Sequence, residues 1–109
     1  MSTPSVERVG KALEYLVETD EPLGALYAAQ DAGSFLLKHL VARLGLESGE
    51  KSAAARQEQA LASDEYVTAI EALQETVAEY RHMEAKRKTE SLLIDVWRSV
   101  NASKRQGNI

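Results

Sequence analysis

A chain of 109 residues has room for one ordinary domain and excludes a conventional two-domain enzyme. With 44% hydrophobic, 28% charged and only 6% aromatic residues, and 2 prolines, its composition is helical and core-forming rather than disordered. The absence of cysteine excludes a disulfide framework, a thiolate metal site and a cysteine nucleophile, and fits a reducing compartment.

The net charge of −4 conceals two parts of opposite sign. Residues 1–80 carry 6 basic and 14 acidic side chains and residues 81–109 carry 7 and 3, so the parts stand at −8 and +4. An acidic total therefore does not argue against a nucleic-acid surface at the basic end. A solvated face, or pairing with the acidic part of a neighbouring subunit, accounts for the same split. No run approaches the roughly 20 apolar residues of a membrane-spanning helix. Met1-Ser2-Thr3-Pro4-Ser5 also lacks the basic-then-apolar pattern of a secretory leader. The expectation is a soluble intracellular protein with no membrane partner.

In chain order, Pro4 in a first turn after Ser2 and Thr3 reads as a helix entry, followed by Val6, Val9, Leu13 and Leu16 at helical spacing. Thr19-Asp20-Glu21-Pro22 predicts a break, because proline disfavours helix in the residue before it. A second helix then carries Leu23, Leu26, Tyr27, Leu36, Leu37, Leu40, Val41 and Leu44, with Gly24 and Gly33 available for close packing. Gly45 and Gly49 bracket a connector. Glu50 to Ala62 is helix-favouring but poor in large apolar groups, which predicts a surface segment. Acidic helices thus occupy residues 4–62.

Ser63-Asp64-Glu65 is a capping serine followed by acids suited to the positive end of a helix dipole. No glycine or proline follows until Gly107, so one long helix is predicted over about 64–104, with a fraying tail at 105–109 in which Ile109 could dock. Such a helix would be about 60 Å long, against a radius of gyration of about 13 Å for a compact chain of this size. It must project, bend or join another subunit. Tyr66, Ile70, Leu73, Val77 and Tyr80 are spaced 4, 3, 4 and 3 apart, as in a coiled-coil seam, and Leu93, Trp97 and Val100 restore an apolar face further on. These eight residues are the oligomerisation candidates, although packing on the second helix uses the same pattern. Between them, Glu84 to Ser91 is a polar gap that reads as a functional window or a solvated kink.

Lys86, Arg87 and Lys88 cover a broad arc, and Arg87, Arg98 and Arg105 fall near one face, making a basic stripe able to neutralise phosphates. Trp97 or Tyr80 could stack a base, but Trp97 among Leu93, Val96 and Val100 reads first as a core or interface residue. Glu79 and His82 have the i, i+3 spacing used by paired-metal bundles, yet one chain supplies one copy, and surface placement of His82 is the plainer reading. His39 reads as a packed or rim histidine. No phosphate-cradling glycine loop or nucleophile elbow is present. No enzymatic activity and no cofactor are expected.

Lys51-Ser52-Ala53-Ala54-Ala55-Arg56, then Ala60-Leu61-Ala62-Ser63-Asp64-Glu65-Tyr66, then Val96-Trp97-Arg98-Ser99-Val100-Asn101-Ala102 with Lys104-Arg105, resembles a group of small helical proteins of tailed bacteriophages. The likeness covers roughly residues 25–109. More remotely, the layout is similar to T4-type phage recombination mediators, oligomeric helical proteins that bind single-stranded DNA and help load a recombinase. The resemblance implies that Lys51 and Arg56, with Arg87, Arg98, Lys104 and Arg105, contact DNA, and that a phage or host recombination protein is a partner; Lys86 and Lys88 join the DNA-contact candidates through the basic arc. The resulting expectation is an all-α protein, short N-terminal helices packed on one long C-terminal helix, forming a helical-bundle or coiled-coil homo-oligomer. Two further readings stay open: an adaptor or inhibitor that uses the acidic helices on a host protein, and a structural virion or assembly component. All three share one fold.

Overall fold

The computed structural model describes residues 3–107. Three helices make up the fold, α1 (Val6–Glu47), α2 (Ala53–Leu61) and α3 (Asp64–Arg105), and no strand occurs among the described residues. The all-α expectation holds, with α3 packing against the helices that precede it.

All three helix starts are set by serine caps. Ser5, not Pro4, opens α1: its hydroxyl accepts from the Arg8 N–H at 3.1 Å and its carbonyl from the Val9 N–H at 3.0 Å. Pro4 stands just before the cap, and Ser2, like Ile109, lies outside the described residues. Ser63 caps α3 as predicted, accepting from the Tyr66 N–H at 3.1 Å while donating to the Ala60 carbonyl at 2.8 Å. One hydroxyl therefore ends α2 and begins α3. Asp64 and Glu65 occupy the first turn of α3 and Lys104 and Arg105 the last, each charge complementing the dipole end it meets. α3 ends one residue beyond the predicted limit. Gly107, at φ 72°, takes the left-handed conformation that closes the turn, its N–H donating to the Lys104 carbonyl at 3.1 Å.

The predicted break at Pro22 does not occur. α1 is one 42-residue helix with Pro22 inside it, so the two helices expected over residues 4–44 are a single element. Proline removes one i to i−4 hydrogen bond and crowds the Glu18 carbonyl, at a cost of about 3 kcal/mol in a helix interior. The turn just before it is held from outside: Arg87 Nη1 donates to the Leu16 carbonyl at 2.7 Å and to Thr19 Oγ1 at 2.5 Å. Thr19 in turn donates to the Tyr15 carbonyl at 2.6 Å. These tertiary bonds hold the turn that precedes Pro22.

Gly45 is inside α1, not in the connector, which is confined to the stretch between α1 and α2. A Cβ at Gly45 would lie 3.2 Å from Arg56 Cβ and 3.3 Å from the Arg56 carbonyl oxygen, so the missing side chain is what lets α2 lie on α1. The true turn residue is Gly49, at φ 76°. α2 starts at the Ser52 cap, which accepts from the Ala55 N–H at 3.1 Å, and buries Ala60 alone, matching the surface segment predicted there.

The chain divides into two compact units, one of residues Met1–Gly24 with Arg81–Ile109 and one of residues Ala25–Tyr80. In the first, Val9, Ala12, Thr19 and Glu90 are buried, and Leu16, Leu93, Ile94, Trp97 and Val100 are half-buried around them. In the second, Leu37, Leu40, Val41 and Leu44 of α1 share a half-buried layer with Tyr66, Ile70, Leu73 and Val77 of α3. Gly33 is where α1 and α3 approach there, because a Cβ would stand 2.8 Å from Leu73 Cδ1. Gly24 has no such role, since nothing lies within 4 Å of its added Cβ. Tyr27 and Tyr80 pack with ring centroids 5.8 Å apart at 54°. Arg43 ties α1 to the start of α3, reaching Glu47 at 2.8 Å and Glu65 at 2.9 Å.

Candidate nucleic-acid interface

The cations expected to form one stripe are divided between inward and outward roles. Within the first unit, Arg87 turns onto α1, adding a contact of 2.7 Å to Asp20 Oδ1 to its bonds with Leu16 and Thr19, and its side chain keeps only 20% exposure. Lys86 places its ammonium 4.4 Å from the centre of the Tyr15 ring, a cation–π contact. Arg98 is exposed and pairs with Asp95 at 3.0 Å one turn away, a surface pair of little energetic weight. Lys88, Lys104 and Arg105 are exposed and make no ion pair with the described residues.

The polar gap at Glu84 to Ser91 is neither an open window nor a kink. α3 is unbroken there, and Glu90 is buried at 6% exposure because Arg8 of α1 meets it with both guanidinium nitrogens. Arg8 Nη2 donates to Glu90 Oε1 at 2.7 Å while Nη1 stands 2.7 Å from Oε2. The Arg8 hydrogen bond is the main influence holding the Glu90 carboxyl below the ordinary glutamate range; burial opposes it, and the charges of Arg8 and Lys86 assist. Arg8 is raised by the same hydrogen bond. Within the gap Lys86, Arg87 and Glu90 thus make contacts to α1 inside one unit, while Lys88, Thr89 and Ser91 stay exposed. Arg8, Thr19 and Glu90 were not singled out by motif reading. A signal existed: Met83, Glu90 and Trp97 are seven apart and share a helix face, so Glu90 stands where an apolar residue would otherwise be.

Trp97 is half-buried, as its neighbours suggested, and borders a groove of about 250 Å³ together with Pro4, Val6, Val100, Asn101 and Lys104. In the second unit, Lys51 is exposed just before the α2 cap. Arg56 donates through Nε to the Glu50 carbonyl at 2.7 Å and supports the contact with Gly45.

The seam expected to join subunits is occupied within the chain. Tyr66, Ile70, Leu73, Val77 and Tyr80 are half-buried in the second unit, where Leu73 meets Gly33 and Tyr80 meets Tyr27. Leu93, Trp97 and Val100 are half-buried in the first. The 3-4 spacing that marks a coiled-coil seam also marks any helix face packed on a neighbouring helix of its own chain. Large apolar residues left in solvent lie elsewhere, Val6, Leu13, Val17 and Leu92 in the first unit and Phe35, Leu36 and Leu46 among those in the second.

Among the described residues no group of three or more His, Asp or Glu side chains converges as a metal site would require. Glu79 and His82 are exposed, and so is His39. No helix of the described residues is long and apolar enough to cross a membrane. The sequence matches no protein-family model, and no curated protein or solved structure matches it.

Proposed function

We propose that this chain is a non-catalytic accessory protein of phage DNA recombination or replication, acting in the host cytoplasm as a homo-oligomer that binds single-stranded DNA and a recombination-protein partner. The observation that carries the reading is the exposure of Arg98, Lys104 and Arg105 over the last turns of α3, after Arg87, which turns onto α1, and Lys86, which sits over the Tyr15 ring, are set aside. These side chains neutralise phosphates, and the groove beside Lys104 offers the half-buried Trp97 to a base. Three cations on one chain bind weakly. Repeating them in an assembly raises the local concentration of sites, so a strand held by one subunit is retained by the next. The work is positional: the protein holds a strand and a partner together.

Anisotropy of labelled single-stranded DNA tests this. The triple variant Arg98→Gln, Lys104→Gln, Arg105→Gln is expected to lose more than tenfold in affinity at low salt with unchanged helix content. Three phosphate contacts on a single strand predict a log–log salt slope of about −2 per chain. Full retention of binding by the triple variant overturns the reading.

A second reading, an adaptor or inhibitor of a host protein, is favoured by the exposed Phe35, Leu36 and Leu46 in a unit whose residues 25–80 carry 9 acidic and 4 basic side chains. Recovery of one host protein, abolished by Phe35→Asp and indifferent to nuclease, would support it over DNA binding.

A further inference from the structure

α1 has a second apolar strip besides the one it buries. Val6, Gly10, Leu13 and Val17 are spaced 4, 3 and 4 apart, and Val6, Leu13 and Val17 stand 70%, 51% and 73% exposed. A Cβ added at Gly10 would meet nothing within 4 Å, so a neighbouring helix can approach the backbone closely at that point. Glu7, Glu14, Glu18 and Glu21 flank the strip, all exposed, with Lys11 the one basic side chain among them. Glu14 and Glu18 border a shallow groove with Leu13 and Val17.

The same unit presents a strip of opposite character on α3. Arg81, Ala85, Lys88 and Leu92 are also spaced 4, 3 and 4 apart and all exposed. Two copies of the α1 strip laid together would set glutamates against glutamates, which is unfavourable. The α3 strip instead brings Arg81 and Lys88 to those glutamates, with Ala85 and Leu92 to fill between Leu13 and Val17. Neither strip is buried within its own unit, where α1 and α3 use the faces bearing Val9, Ala12, Thr19 and Glu90.

We propose that a second copy of this chain docks the Arg81–Leu92 strip of its α3 on the Val6–Val17 strip of α1. The contact joins unlike surfaces, so repetition closes a ring or continues as a chain of subunits. It replaces the half-buried α3 seam as the route to an oligomer, and makes Lys88 an interface residue rather than a phosphate contact. It requires no nucleic acid.

Two charge variants test it by sedimentation equilibrium in DNA-free buffer. Glu14→Lys with Glu18→Lys makes both strips basic, and Arg81→Glu with Lys88→Glu makes both acidic. Each variant alone is expected to dissociate at least tenfold more readily than the unaltered chain, with its helical signal retained because all four positions are exposed. Mixed one to one, they are expected to reassociate, since every contact between unlike variants again joins opposite charges. An unaltered chain that is monomeric at about 100 µM, or variants that fail to restore each other, would overturn the proposal. The DNA reading is scored separately by the Arg98, Lys104 and Arg105 variant, none of whose positions lies in either strip.

Discussion

Replacing Arg87 by methionine separates a structural cation from the proposed DNA contacts. Methionine keeps most of the aliphatic stem and removes three contacts, to the Leu16 carbonyl, Thr19 Oγ1 and Asp20 Oδ1. The Asp20 side chain is 70% exposed, so that pair contributes about 0–1 kcal/mol. The two bonds from Nη1 are shielded and charge-assisted, and each contributes about 1 kcal/mol net once the hydration of the guanidinium in the unfolded chain is counted. Their loss orphans little, because Thr19 keeps its bond to the Tyr15 carbonyl and the Leu16 carbonyl stays within α1. The expected loss is about 2–3 kcal/mol. In urea unfolding followed by circular dichroism at fixed protein concentration, the midpoint should fall by about 1–2 M with an unchanged slope. Arg98→Met, which loses only an exposed pair, should stay within about 0.5 kcal/mol of the parent. DNA affinity should respond in the opposite sense, falling for Arg98→Met and holding for the folded Arg87→Met protein. Unchanged stability in Arg87→Met together with lost DNA binding would refute the division.

Three other outcomes follow from particular residues. Glu90 has a folded pKa below its unfolded one, chiefly through the Arg8 hydrogen bond, so its contribution to stability is complete above the usual carboxylate range near about 4.3 and is lost as pH falls through the folded value. Glu90→Gln should therefore flatten the acid limb of a stability–pH curve measured from pH 7 to pH 3; an identical limb would show that the pair carries no linkage. Pro22→Ala should stabilise the protein by about 1–3 kcal/mol in thermal unfolding, because it restores a helix hydrogen bond at an exposed site, and a loss would mean that proline serves the native fold. Gly24→Ala, with open space around it, should gain up to about 1 kcal/mol. Gly45→Ala should lose stability because it presses on the Arg56 backbone, and equal effects at the two glycines would contradict the close approach of α2.

The long helix and its limits were legible because local chemistry dictates them: Ser63 caps, Asp64 and Glu65 favour the first turn, and nothing breaks the run before Gly107. Pro22 misled because its cost is local, while the bonds that offset it come from Arg87, 65 residues further on. The periodicity of Tyr66, Ile70, Leu73, Val77 and Tyr80 identified a packed face correctly but carries no information on whether the partner is the same chain. Charge counting carries equally little information on side-chain direction at the candidate interface. A formal charge does not reveal whether a long side chain reaches outward, as at Lys104, or folds back onto a carbonyl, as at Arg87. Glu90 was hidden because a buried ion pair and a solvated turn look alike in a polar stretch.

The aromatic residues are divided unevenly between the two units. Trp97, the one tryptophan, belongs with Tyr15 to the unit of residues Met1–Gly24 and Arg81–Ile109, whereas the other three tyrosines, Tyr27, Tyr66 and Tyr80, belong to the unit of residues Ala25–Tyr80. Indole emission excited at the red edge therefore reports the melting of one unit, and the near-ultraviolet dichroism of a Tyr15→Phe, Trp97→Phe variant, whose remaining tyrosines are Tyr27, Tyr66 and Tyr80, reports the other. The chain carries its own pair of optical reporters for cooperativity. Superimposed traces identify a single all-or-none transition, and displaced traces identify two, with the sequence of events read directly from which chromophore changes first.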